Sequence, residues 1–137
     1  MKQTINDKRL AVLEDTVKYY SKAPVSRRCR NSKGCRYTGE AAERPKSEGC
    51  AVGRMMPKAL AVKLDKIGGT SVSSVFFFHE RGEIKLPKKI LDLGVSFLSH
   101  LQALHDAASC WTSRGLSDYG KRKVECIKAS ISDGGYD

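Results

Sequence analysis

The sequence predicts an α+β domain that is mostly helical, with five to six helices and one small two-stranded β-hairpin. Three observations carry this. Apolar residues recur at three- and four-residue spacing in several separate stretches. Glycine or proline stands at nearly every junction between those stretches. Two short runs with β character, opened by Cys35 and Cys50, flank a polar segment that holds Pro45 and Gly49. At 137 residues, the chain has the length of one domain, 1–137, able to bury a single core.

The elements follow in order. Residues 7–22 read as a helix capped by Asp7, with Leu10, Leu13, Val17 and Tyr20 on one face. Pro24 ends it, and 23–36 is an irregular basic segment. Arg36-Tyr37-Thr38 and Cys50-Ala51-Val52-Gly53-Arg54 read as the paired strands, which would bring Cys35 near Cys50; a two-stranded ribbon is marginal alone and must lean on helices. Pro57 opens a helix carrying Leu60, Val62, Leu64 and Ile67, closed by Gly68-Gly69. Residues 70–79 carry two patterns. Their β-branched and aromatic content suits a strand. Val72, Val75, Phe76 and His79 at i, i+3, i+4 and i+7 suit a helix capped by Thr70 or Ser71, and the reading leans to helix. Pro87 opens a short helix, 88–93, closed by Gly94. Ser96 caps the next, with Phe97, Leu101, Leu104 and Ala108 as its stripe and Leu98 and His105 beside it. Ser117 caps the last helix, which buries Val124, Ile127 and Ile131; Gly134-Gly135 mark a frayed tail, 132–137.

Charge narrows the function classes. The formal net charge is +10, and from Lys18 to Arg36 the chain carries Lys18, Lys22, Arg27, Arg28, Arg30, Lys33 and Arg36 without one acid. Such a block attracts polyanions by releasing their counterions, or serves only as a solvated basic loop. No apolar run reaches the roughly 20 residues that a membrane helix needs. No secretory leader is visible, so the expected compartment is cytoplasmic, where five cysteines, an odd count, serve as thiols or ligands rather than as a disulfide framework.

The order Cys35-x-Tyr37, Cys50-Ala51-x-Gly53, Leu101-Gln102-x-x-His105-Asp106 and Trp111 before a final helix resembles a group of small uncharacterised bacteriophage and prophage proteins. The similarity spans roughly residues 8–131; the basic stretch before Cys35 and the long segment from Glu40 to Glu48 depart from the pattern. It implies a fold and a phage context but no established activity; by analogy with other small phage proteins, host machinery, immune systems included, gains weight as the class of target.

The chemistry-bearing residues divide as follows. Cys29 and Cys35 are separated by five residues and Cys35 and Cys50 by fourteen, neither a zinc-knuckle spacing. A Cys29, Cys35, Cys50, His105 quartet can be drawn, but thiols packed in the hairpin core are the plainer expectation, and no metal or cofactor is expected. Cys110 and Cys126 lie on or beside apolar helix faces as packing residues. His105 reads as a satisfied histidine at the core edge. The sharper alternative makes it the base for a Cys50 nucleophile, with Gln102 or Asp106 orienting the ring. Successive helical residues diverge by about 100°, which sets Asp106 off line. Gly53 is expected to serve packing, with an anion at the helix start near Pro57 and Arg54 as the alternative. Tyr20 and Tyr37 are expected in the core and Tyr19 at the surface, with base stacking as the alternative. Trp111 is expected to lock the last helix to the core.

The function expected from these readings is non-enzymatic: a cytoplasmic accessory protein binding nucleic acid, a nucleotide signal or a host nucleoprotein complex, with Arg27, Arg28, Arg30, Lys33, Arg36 and Arg54 as the contacts. The alternatives are a protein–protein inhibitor with an apolar face around Phe76 to Phe78, a Cys50–His105 enzyme, and a structural zinc protein.

Overall fold

The computed structural model describes residues 4–22, 30–31, 34–35, 51–67 and 71–136. Among them are six α-helices: α1 (Ile5–Lys22), α2 (Lys58–Ile67), α3 (Val72–Glu80), α4 (Lys88–Leu93), α5 (Val95–Asp106) and α6 (Asp118–Ser132). Two short antiparallel ladders accompany them. β1 (Arg30–Asn31) pairs with β2 (Gly34–Cys35), and β3 (Trp111–Thr112) pairs with β4 (Gly115–Leu116). The mostly helical α+β class is therefore the one the sequence predicts.

The hairpin is placed differently. Its expected first strand, 36–38, lies outside the described residues, as does Cys50. The expected second strand is not one: Ala51 and Val52 form a buried turn, and Gly53–Met55 is a short 3-10 helix. Met55 N–H donates to the Val52 carbonyl at 3.0 Å and Met56 N–H to that of Gly53 at 3.1 Å. Val52 N–H donates to the Gln102 side-chain oxygen at 3.2 Å. The backbone of this apolar run is satisfied by a turn and a distant amide, so no partner strand is needed. In the segment read as irregular, Arg30 stands opposite Cys35 and Asn31 opposite Gly34.

The helix starts show the rest of the local logic. α1 begins ahead of Asp7. Thr4 Oγ1 accepts from Asp7 N–H at 3.0 Å, and the Asp7 carboxylate accepts from Thr4 N–H at 3.1 Å, a reciprocal capping box with Thr4 as the cap. Residues 72–80 are helix, as the spacing of Val72 and Val75 favours, and Ser71 Oγ accepts from Ser74 N–H. α5 starts one residue before Ser96. Gly94, at φ 86°, closes α4 and opens α5, a conformation glycine adopts without a Cβ clash. Ser117 caps α6 as expected, accepting from Gly120 N–H at 3.0 Å.

The core gathers along α5. Phe97, Leu98, Leu101, Leu104 and His105 are buried on it, and it packs against α3, α4 and α6. α1 lies across α4, α6 and β4, burying Leu13, Thr16, Tyr20 and, unusually, Arg9. Each fully buried Leu or Phe contributes about 1.5–3 kcal/mol relative to exposure. Tyr20 packs edge-on against His105 with centroids 4.7 Å apart. Trp111 is buried, and its indole N–H donates to the Leu104 carbonyl at 2.9 Å, so it fastens the segment before α6 to α5.

Within the tail, Tyr136 packs against the core. Tyr136 is 7% exposed, meets Phe97 edge-on at 5.5 Å, and its hydroxyl lies 2.7 Å from His100 Nδ1. Burial pushes its phenol above the usual value of 10.0, against the lowering influence of a Ser130 hydrogen bond and of the Arg9 charge. A raised phenol favours folding below the unfolded value, and that advantage is lost as pH rises through the folded one. Denaturant titrations at stepped pH should therefore give native and Tyr136→Phe chains a constant stability difference below pH 10. Above it the native chain should lose stability more steeply; parallel slopes there would refute the assignment.

Candidate functional site

The basic arm expected to contact a polyanion leaves the C-terminal end of α1. Arg27, Arg28, Lys33 and Arg36 lie outside the described residues, and of Arg30 only the backbone, in β1, is described. What surrounds the arm's point of departure is clear. A Cβ placed on Gly115 would stand 3.4 Å from Ser21 Oγ, so β4 runs directly against the last turn of α1. Lys22, next to Ser21, and Arg114, next to Gly115, are both exposed. Thr112 Oγ1 holds the turn that presents Arg114, accepting from Arg114 N–H at 3.1 Å and donating to the Gly115 carbonyl at 3.2 Å.

α6, which packs against α1 and β4, carries further exposed cations. Its first turn presents Tyr119, 42% exposed, followed by exposed Lys121, Arg122 and Lys123. The Tyr119 ring centroid lies 5.3 Å from Lys123 Nζ and 6.0 Å from the Arg122 guanidinium carbon, within cation–π range. Exposed Asp118 and Glu125 interrupt the strip, and Glu125 sits 3.7 Å from Lys128 Nζ. Sequence reasoning passed over this group. Its signal is Asp118-Tyr119-Gly120-Lys121-Arg122-Lys123, an aromatic beside a cationic run, read there only as the start of a helix.

Arg54, expected among the anion contacts, is engaged within the fold. Its guanidinium lies 3.6 Å above the Tyr19 ring and 3.3 Å from the Asp15 carboxylate, tying the Gly53–Met55 turn to α1. The groove it lines also holds Lys8 and Lys89, with Asp15 opposing them. Tyr20 is wholly buried and offers no ring for base stacking, while half-buried Tyr19 has one face covered by the Arg54 guanidinium. Tyr37 lies outside the described residues.

His105 and Asp106 meet despite the divergence of successive helical side chains. His105 Nδ1 and Asp106 Oδ1 are 2.8 Å apart, because Asp106 is the last residue of α5 and its carboxylate folds back over the terminal turn. Gln102 Nε2 donates to the same oxygen at 3.0 Å while its Oε1 accepts from Val52 N–H. The imidazole is thus oriented by a carboxylate, the arrangement a Cys–His reading asks for. The thiol of that reading, Cys50, lies outside the described residues, as do Cys29 and the side chain of Cys35. Among the described residues, no group of three or more His, Cys, Asp or Glu side chains is gathered to hold a metal ion. Cys110 is buried as expected; Cys126 is exposed, on the rim of a cleft between α5 and α6. Among the described residues, no helix is long and apolar enough to cross a membrane.

No protein-family model, curated protein or solved structure matches the chain.

Proposed function

We propose that this chain is a non-enzymatic accessory protein that binds a polyanionic partner, a nucleic acid or a nucleoprotein complex, through the basic arm together with the cationic face beside it. The supporting observation is the close approach of Gly115 to Ser21, which sets exposed Arg114 next to the point where the acid-free arm begins. Arginines suit the role because the guanidinium fork bonds two phosphate oxygens at once. A phage-encoded inhibitor of host machinery, working in the bacterial cytoplasm, is the setting this reading favours.

The test is charge reversal of Arg27, Arg28 and Arg30 to glutamate. Binding of single-stranded and duplex oligonucleotides should fall below detection with the thermal melt nearly unchanged. Neutral Gln replacements should instead leave weak binding with a salt slope reduced by about three. Native-level binding by the reversed variant would end the proposal.

A second reading rests on Phe77, 52% exposed between the partly buried Phe76 and Phe78. It makes that face an apolar contact for a protein partner. Salt separates the two, since apolar contact responds little to ionic strength while phosphate contact weakens steeply.

A further inference from the structure

The geometry points to a nucleotide site in the cleft between α5 and α6, separate from the arm. Its ligand is a planar aromatic base carrying a phosphate. The cleft has a volume of about 350 Å³, within the roughly 300–1,000 Å³ of small-molecule sites. Leu104, Ala107, Cys110 and Ile127 give it an apolar floor. Its rim is polar and cationic: Tyr119, Lys123, His100, and the side chains of Ser130 and Tyr136.

Three features select a nucleotide. Among the described residues no carboxylate lines the cleft, so its charge comes from Lys123. The groove described above carries three cations against Asp15, but among the described residues no aromatic ring lines it, so it offers charge without a surface on which a base could stack. Next, Tyr119 places an exposed ring at the rim with Lys123 Nζ 5.3 Å from its centre, so a base stacked on the tyrosine carries its phosphate toward the ammonium. Last, the hydrogen-bonding groups are fixed before any ligand arrives. The Tyr136 hydroxyl is held 2.7 Å from His100 Nδ1, and Ser130 stands in the same wall. The heteroatoms along a base edge can add hydrogen bonds to this polar wall, which an aliphatic tail cannot.

Titration calorimetry, with amide NMR to locate the site, tests this with adenosine and cytidine 5′-monophosphates, adenosine, inorganic phosphate and decanoate. The monophosphates should bind and shift the amides of Ala103, Tyr119, Lys123 and Ile127, with adenosine and phosphate each much weaker. Tyr119→Ala should weaken binding about tenfold, and Lys123→Glu at least as much; both side chains are exposed, so the melts should match the native one. A phosphorylated dinucleotide identifies the source. Tighter binding than the monophosphate marks a strand end, weaker binding a free nucleotide, and either upholds the site. The Arg27, Arg28, Arg30 to Glu variant should bind the monophosphates as the native chain does, so failure of the arm and failure of the cleft are read separately. No monophosphate binding at millimolar concentration, adenosine as tight as its monophosphate, decanoate tighter than any nucleotide, or indifference to both substitutions would overturn the site.

Discussion

Replacing Gly120 with alanine destabilises the protein by about 3 kcal/mol, although helix propensity alone favours alanine by about 1 kcal/mol. Gly120 is buried in the first turn of α6, where the helix passes over the backbone of Cys110. A methyl group there would run into the Cys110 carbonyl oxygen and would also stand 2.9 Å from both the carbonyl carbon and Leu116 Cδ2. The obstacle is backbone, and it is braced from several sides. The Cys110 carbonyl accepts from Ser117 N–H at 2.8 Å, Ser117 Oγ donates to the Ser109 carbonyl at 2.5 Å, and the same oxygen accepts from Gly120 N–H. Relief requires α6 to lift away from this turn. Because Tyr119 and Lys123 lie on that part of α6, nucleotide binding should weaken along with stability. Urea unfolding of the native and Gly120→Ala chains measures the first effect; an alanine variant as stable as the native chain would mean that α6 does not approach Cys110 this closely.

The helices were legible because their signal is local. Val72 and Val75, or Phe97, Leu101 and Leu104, lie within one sequence window, and burial of the stripe they form is what packing rewards. Helix starts were legible where a side chain makes the cap, as at Ser71 and Ser117, and misread where the cap is backbone conformation, as at Gly94. At α1 both members of the capping box stand in the sequence, and Thr4 rather than the acid holds the cap position.

What escaped the sequence depends on contacts far apart in the chain. Ala51-Val52 looked like strand because a short apolar run does not say whether its amides meet a ladder or, as here, a glutamine fifty residues away. The packing of Tyr136 was not legible because local propensity carries no account of Phe97 and His100, which hold its ring. The cationic face was half legible. The charge block from Lys18 to Arg36 is plain in the sequence, but only the fold brings Arg114 beside it and sets Tyr119 and Lys123 on a shared rim.

Arg9 shows the same dependence and has a large expected effect. In the sequence it is one more cation in a charged helix start; in the fold it is 2% exposed. Its Nε donates to the Leu93 carbonyl at 2.9 Å, and a terminal nitrogen donates to the Tyr136 carbonyl and the Asn6 side chain, each at 3.2 Å. Its guanidinium carbon lies 5.5 Å from the Tyr136 ring centre. One side chain thus joins α1 to the end of α4 and to the segment after α6. Arg9→Met keeps much of the apolar volume but strands the buried Leu93 and Tyr136 carbonyls, each costing about 1–3 kcal/mol when left without a donor. The net loss should be about 3 kcal/mol, lowering the melting temperature by roughly 10 °C. Arg9→Lys should recover little of it, since an ammonium cannot span acceptors held apart by a planar fork. The loss should also loosen the cleft, because Tyr136 is part of its wall. Amide hydrogen exchange would then show lowered protection in α6, beyond what the global destabilisation explains. Equal protection in α6 once the two chains are compared at matched stability would separate Arg9 from the tail and leave it a local brace between α1 and α4.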